Sequence, residues 1–403
     1  MRGPFHRTIW SRLPRRVRRA ALFGLTGFAA SKPDPDARPA EPIIVVGCLR
    51  SATGLGESAR LCYQALSAGG VDVRGIDVSS LLMQPLDLPN FEFRDGRTSR
   101  GLGTLILHVN APLMPVVFLS LGQKIIREKW IVGYWAWELE VIPRDWNVGI
   151  PLVHEIWVPS RFVAAAVAAR VTDVTIRVLP HAVSCAGAPM KAPIRESLRP
   201  FTALVIFNMG SSMERKNPIA ALTAFRTAFG DRSDVRMIVK VTHPGLFSEG
   251  ERRLRAAVAD ARNVIMIDHT MRRSEISLLY TQADCYVSLH RSEGFGLAIA
   301  EAMLNGVPAL STDWSGTTDF VNAANGRPVR CRLIPARDPQ GTYDYPELSW
   351  AEPDMLAAAS LLQELRDHAR GLGERARDDA LQRFSAETYT SSVRRFLTQE
   401  SAA

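Results

Sequence analysis

Short β-branched runs alternate with helical stretches twice over, and this alternation limits the chain more than any other feature. "PIIVVGCL" (42–49) leads through a glycine-containing loop into the helical pattern "ESARLCYQALSAGG". "VDVRGIDVSS", "GTLILHVN" (103–110), "KWIVGYWAWE" (129–138), "HEIWVPS" (154–160) and "TIRVLPHAV" (175–183) continue the strands, with helices such as "SRFVAAAVAAR" between them. Apolar strands separated by helices predict a parallel sheet covered on both faces. The series pauses at "SCAGAPMKAPIRESLRP" (184–200) and restarts at "FTALVIFNMG". From "NPIAALTAFRTAFG" through "VRMIVKVTH", "VIMIDH" and "CYVSLH" to "FGLAIAEAMLNG" and "PALSTD", helix and strand alternate again. The expectation is an α/β chain with two doubly wound domains, 41–183 and 200–382, facing across a cleft. Ligands then sit at the carboxyl ends of the strands.

Composition removes several classes. A hydrophobic share of 46% and a charged share of 22% are globular values. The five cysteines are scattered and odd in number, with no Cys-x-x-Cys pair. Neither a disulfide framework nor a zinc cluster is expected, and a reducing, cytoplasmic setting fits. The net charge of +8 is concentrated in Arg2, Arg7, Arg12, Arg15, Arg16, Arg18 and Arg19, so the basic pI does not point to nucleic acid. Residues 1–40 read as a basic segment and a Pro-rich linker. The apolar part "AALFGLTGFAA" is too short to span a bilayer. The small residues of "FAAS" would suit a cleavable signal, but the long basic run and the lack of a cysteine framework favour two other readings: peripheral contact with an anionic inner membrane face, or a tail without fixed structure. Asp34-Pro35-Asp36 imitates a metal-binding Asp-x-Asp, but it lies in the linker.

The chemistry concentrates in "RSEGFGLAIAEAMLNGVP". A loop follows the strand "CYVSLH", and a helix begins near Phe295 to Leu297. Free N–H groups at a helix start, with the positive end of its dipole, make an anion site. Gly294 and Gly296 let a ligand approach the backbone. Glu293 in the loop can accept hydrogen bonds from sugar hydroxyls, and Glu301 within the helix from a ribose. Two acceptors flanking a phosphate cradle suit a nucleoside-diphosphate sugar.

"EGFGLAIAEAMLNGVP" resembles the Glu-x7-Glu motif of retaining glycosyltransferases with the two-domain GT-B fold, family 4 (group 1). The resemblance implies two Rossmann-like domains, with Glu293 on the donor hexose and Glu301 on the nucleotide ribose. "FNMGSSMERKNPIAALTAFRTAF" (207–229) is similar to that family's phosphate-binding region and puts Lys216 at the phosphate-contacting lysine. The family's Gly-Arg is replaced by Gly210-Ser211-Ser212. Arg215 or the strand lysine Lys240 is then expected to supply the second cation. Ser315-Gly316-Thr317-Thr318 resembles the loop that closes on the donor. The resembling fold also sends its last helix, within 383–403, back onto the first domain, and makes 351–365 the preceding helix.

In the first domain, "RSATGLGESAR" (50–60) resembles the acceptor-side glycine loop, with Gly54 and Gly56. The same residues also fit Gly-x-Gly-x-x-Ala, with Asp77 about twenty residues on, which imitates a dinucleotide fingerprint. His108 ends its strand at the cleft, where the family has a histidine on the donor sugar. Trp137 and Glu138 are candidates for an acceptor wall, by stacking on sugar faces or by packing beneath the cleft. His181 falls where the family often has asparagine. The expected activity is metal-independent transfer of a hexose, with retention, from a nucleotide sugar acting as co-substrate to a glycan or lipid-linked acceptor. No other cofactor is expected, and cell-surface polysaccharide synthesis is the expected setting. The alternatives are an NAD-dependent oxidoreductase and a non-catalytic module that binds nucleotide sugar or glycan.

Overall fold

The computed structural model describes residues 26–184, 199–269 and 271–398. The basic run at residues 2–19 and Cys185 lie outside these residues. Each half is built on six parallel strands. The first sheet contains β1 (Ile43–Gly47), β2 (Val73–Asp77), β3 (Gly103–His108), β4 (Lys129–Tyr134), β5 (Glu155–Val158) and β6 (Thr175–Val178), in the order β2-β1-β3-β4-β5-β6. The second contains β7 (Phe201–Asn208), β8 (Val235–Thr242), β9 (Val264–Ile267), β10 (Cys285–Ser288), β11 (Ala309–Thr312) and β12 (Gly326–Val329), in the order β12-β11-β10-β7-β8-β9. Strands β1, β3, β4 and β5 are buried at every position, which explains why their residues are mostly apolar, with polar groups such as Lys129, His108 and Glu155 at strand ends.

Both orders reverse their winding once, between β1 and β3 and between β7 and β10. At such a point, loops leave neighbouring strands in opposite directions and open a crevice at the carboxyl ends. Helices fill the rest of each layer. α1 (Gly54–Ala68) follows β1 and is capped by Thr53, whose hydroxyl accepts from Gly56 N at 3.3 Å. α2 (Arg161–Ala168) follows β5. After β7 come the single turn α3 (Met213–Lys216) and α4 (Pro218–Phe229), where Pro218 occupies the first turn without losing a bond. α5 (Arg273–Gln282) precedes β10, and α6 (Leu297–Leu304) follows it.

The end of the chain departs from expectation. A helix was expected over 351–365. Instead β13 (Cys331–Ala336) and β14 (Tyr345–Pro353) form an antiparallel hairpin, and α7 starts only at Met355 and runs to Phe384. The reason is local: Pro353 ends the strand, and the Asp354 side chain accepts from Ala357 N at 3.0 Å as a cap. The hairpin region reaches the first domain, where Tyr343 and Trp350 join the apolar cluster of Trp135, Trp137 and Trp146. α8 (Ala386–Thr398) also lies on the first domain. Tyr389, Val393 and Phe396 pack into its core, and Thr390 Oγ1 donates to Ala65 O at 3.0 Å. Trp350 is 1% exposed in the first-domain cluster. Trp350→Ala should therefore cost about 3–5 kcal/mol in urea unfolding. A cost within measurement error would show that the hairpin is a loose appendage.

Candidate active site

The β7/β10 crevice brings together residues 77 apart in sequence. The loop after β7 turns twice through left-handed backbone, at Ser212 (φ 66°) and Asn217 (φ 52°). These turns set off α3, whose Arg215 and Lys216 face the loop after β10. Glu293 stands there, only 6% exposed. Its Oε2 accepts from Arg215 Nη1 at 3.0 Å, and its Oε1 is paired with the Lys216 ammonium. Its own N–H donates to Ser315 Oγ at 2.8 Å, and its carbonyl accepts from Gly316 N at 2.9 Å. Ser315-Gly316-Thr317 therefore closes on the glutamate from above. Gly316 must be glycine, because a Cβ would run into the Gly294 carbonyl.

Burial alone would raise the Glu293 pKa, but the charges of Lys216 and then Arg215 outweigh it and hold the carboxyl at about 2. Burial also depresses the Lys216 pKa, against the pull of Glu293. Arg215 is fixed further by the Ser292 carbonyl at 2.9 Å and by the Tyr343 ring, 5.2 Å from its guanidinium.

α6 begins beside this triad. Gly296 has φ +99°, a conformation that side chains resist. Ile299 and Ala300 donate to the Gly296 carbonyl, which leaves the N–H groups of Leu297 and Ala298 outside the helix's own bonding. A cavity of about 20 Å³, room for one water, is lined by Lys216, Glu293, Gly296 and Ala298. A sugar diphosphate enters only if the loops part.

One turn further along α6, Glu301 accepts from Tyr280 Oη at 3.0 Å. Its other oxygen lies 3.9 Å from Arg273, which also pairs with Glu57 of α1 and donates to Ser184 O at 3.1 Å. Arg273 thus spans the cleft from α5 to the first domain. Burial drives the Glu301 pKa up to about 7, against the opposing pull of Arg273. The folded value lies above the ordinary 4.5, so this stabilising contribution is complete below 4.5 and is lost as pH rises towards 7. Melting temperature should fall more between pH 5 and pH 7.5 in the native protein than in Glu301→Gln. Equal slopes would remove Glu301 from the buried titrating groups.

The other sequence-derived candidates fall elsewhere. The Phe295 side chain is not in the crevice: it packs against Phe320, Phe384 and the edge of His181, so only its backbone borders the site. Lys240 is turned to its own strand end, bonding Val241 O at 2.8 Å and Thr242 Oγ1 at 3.4 Å, and makes no bond to the triad. Trp137 is no open stacking face. It is buried against Trp146 and Tyr343, and its Nε1 donates to Val141 O. Glu138 accepts from Tyr343 Oη at 2.8 Å. The hairpin region that covers both was not legible in the sequence.

His108 lies at the β1/β3 reversal but is sealed. Its Nδ1 is 2.7 Å from Ser58 Oγ, its ring stacks on Tyr134 at 4.5 Å, and its buried Nε2 has no partner. Burial, then the nearby His181, keeps it neutral. Burial likewise takes His181 down to about 3. Gly54 opens α1 with free space around it, while Gly56 presses on the carbonyls of Cys48 and Ser51. In the dinucleotide reading Asp77 would meet a ribose; here its Oδ1 accepts from Ser79 Oγ at 2.6 Å and Arg50 N at 3.2 Å. Arg273, Tyr280 and Tyr343 were not foreseen. Nothing in their local patterns distinguishes them from ordinary helix and loop residues. Among the described residues, no three His, Cys, Asp or Glu side chains are grouped to hold a metal, and no helix is long and apolar enough to cross a membrane.

Comparison with known proteins adds a match to a family over part of the chain. Residues 191–334 match the glycosyl transferases group 1 family. The match contains the whole triad, Glu301 and both loops that close on them. The fold is GT-B, with two Rossmann-like domains. Sucrose-phosphate synthase from Thermosynechococcus elongatus superposes with a TM-score of 0.62 at 15% identity, over 89% of this chain and 99% of that one. HepE from Anabaena, solved with UDP and glucose, gives 0.60 at 13% identity, over 89% and 99%. TarM from S. aureus gives 0.55 at 12% identity, over 74% of this chain and 55% of its own. The chain thus spans little more than half the length of TarM. No curated protein matches the chain in sequence.

Proposed function

We propose that the protein transfers a hexose from a nucleoside-diphosphate sugar to a glycan or lipid-linked acceptor. The observation that carries this reading is the buried Glu293–Arg215–Lys216 triad at the β7/β10 reversal, beside the free N–H groups that open α6. A departing diphosphate gathers negative charge as the glycosidic bond breaks. In this reading Lys216 and the α6 N-terminus meet that charge once the loops have parted and Lys216 has turned from Glu293 to the diphosphate. Arg215 acts chiefly by holding Glu293. Glu293 in turn orients the hexose through its hydroxyls, and Glu301 accepts from the ribose once Arg273 has moved aside.

Closing of the 315–318 loop excludes water, which limits hydrolysis of the donor. HepE and TarM were each solved with UDP, so UDP-sugars are the first donors to test. Retention of configuration is a part of the proposal that rests on the family resemblance, and independence from metal ions rests on the α6 dipole and Lys216 taking the place of a divalent cation. A role in cell-surface polysaccharide synthesis is proposed on the same resemblance, and peripheral contact with an anionic membrane on the arginine-rich sequence within residues 1–38. No observation in the structure favours the oxidoreductase reading.

The test is nucleoside diphosphate release from UDP-, GDP- and ADP-hexoses in EDTA, with the product anomer read by NMR. Release from one base, with the anomeric configuration kept, is expected. Release only after adding a divalent ion, or with inversion, would overturn the corresponding part. No release from any donor, with or without metal and acceptor extract, would favour the binding-module reading.

A further inference from the structure

Trp137 is buried and Glu138, half-buried, is engaged by Tyr343, which leaves another part of the first domain as a place for an acceptor to sit. It has a pocket of about 960 Å³ at the carboxyl ends of β1 and β2. That size is ample for a saccharide. Phe91 and Phe93 supply ring surface, the latter with Arg50 5.5 Å from its centroid. Asp77, Glu92 and Asp95 line it together with Arg50 and Arg97. Three carboxylates against two guanidinium groups disfavour an anionic head and suit hydroxyls, which both donate and accept.

The loop beside the pocket has the opposite character. Leu81, Met83, Leu86 and Leu88 fall within eight residues, and all are exposed, Met83 at 87%. A soluble surface rarely gathers four large apolar side chains so closely without something to cover them. Between them Asp87 accepts from Ala52 N at 3.1 Å and meets His243 of the second domain at 3.4 Å. Leu246, three residues past His243, is also exposed and lies near Gly210 in the loop after β7. The polar pocket and the apolar rim are adjacent, sharing Leu81, and the rim meets the second domain at Asp87–His243.

We propose that this surface binds an amphiphilic acceptor: an uncharged sugar head in the Phe91–Asp95 pocket, with its alkyl chain along Leu81–Leu88. The inference rests on the transfer reading above, and it selects the lipid-linked class of acceptor from the two left open there.

The test is titration of the full chain with methyl and octyl β-D-glucopyranoside, the latter kept below its micelle concentration. The octyl glycoside should bind about tenfold tighter or more, because its chain leaves water. Met83→Ser/Leu86→Ser, both exposed and safe for the fold, should remove that difference. Glu92→Gln/Asp95→Asn should weaken both glycosides several-fold. Equal affinity for the two glycosides, or a gain that survives Met83→Ser/Leu86→Ser, overturns the proposal. So does binding to phosphatidylcholine vesicles that the same double variant abolishes and that added octyl glycoside does not compete, since the rim is then a general membrane surface. UDP binding, measured in parallel, separates the two readings: its loss with the glycoside pattern intact would strike the donor assignment alone.

Discussion

Glu293→Gln should lower sugar transfer by about 10²–10³-fold while leaving nucleoside diphosphate affinity unchanged or higher. Glutamine keeps the shape of the side chain but removes its charge. In the native protein that charge occupies both Arg215 and Lys216. Without it, Lys216 has no competing partner and meets the diphosphate more readily. What is lost is the fixed acceptor for the hexose, whose contribution is felt in the transition state. The fall should therefore be in kcat more than in KM. Unchanged kcat would show that the triad only holds the two loops together.

Arg215→Met should destabilise the protein by about 3–5 kcal/mol, because it leaves a buried carboxylate with one cation instead of two. The Arg215 side chain is 4% exposed and that of Glu293 8%, so water can do little to make up the loss. The same change shifts the acid limb. The native Glu293 pKa is depressed to about 2 from 4.5. The stabilisation is full above 4.5 and disappears as pH falls towards 2. In Arg215→Met the depression shrinks, so acid unfolding should begin at higher pH. Urea unfolding at pH 7 and pH 4 reads both effects. Arg215→Lys should fall between, since a lysine restores charge but not the bond to Ser292 O together with that to Glu293.

The two-sheet architecture was legible because its strands are buried on both faces. Runs such as "IIVVG" and "TLILH" cannot belong to a half-solvated sheet. The position of Glu293 was legible as well, since a glutamate before Gly-Phe-Gly at a strand end has few structural uses. What sequence did not reveal is contact between distant segments. Phe295 looked like part of the ligand loop, but its ring anchors that loop to Phe320 and Phe384. Trp137 looked available to a sugar until Tyr343, over two hundred residues away, was placed against it. Lys240 needed a partner, and found it in its own strand end. Arg273, which joins Glu57 to the neighbourhood of Glu301, sits in an ordinary polar helix start. Its importance comes wholly from what the fold brings to it.

The most direct measurement is calorimetric titration of UDP, GDP and ADP into the native protein, Glu301→Ala and Lys216→Ala. The account predicts that one nucleoside diphosphate binds and that each substitution weakens it about tenfold or more, a loss of about 1.4 kcal/mol. Binding that both variants leave intact would contradict the donor site at the β7/β10 reversal.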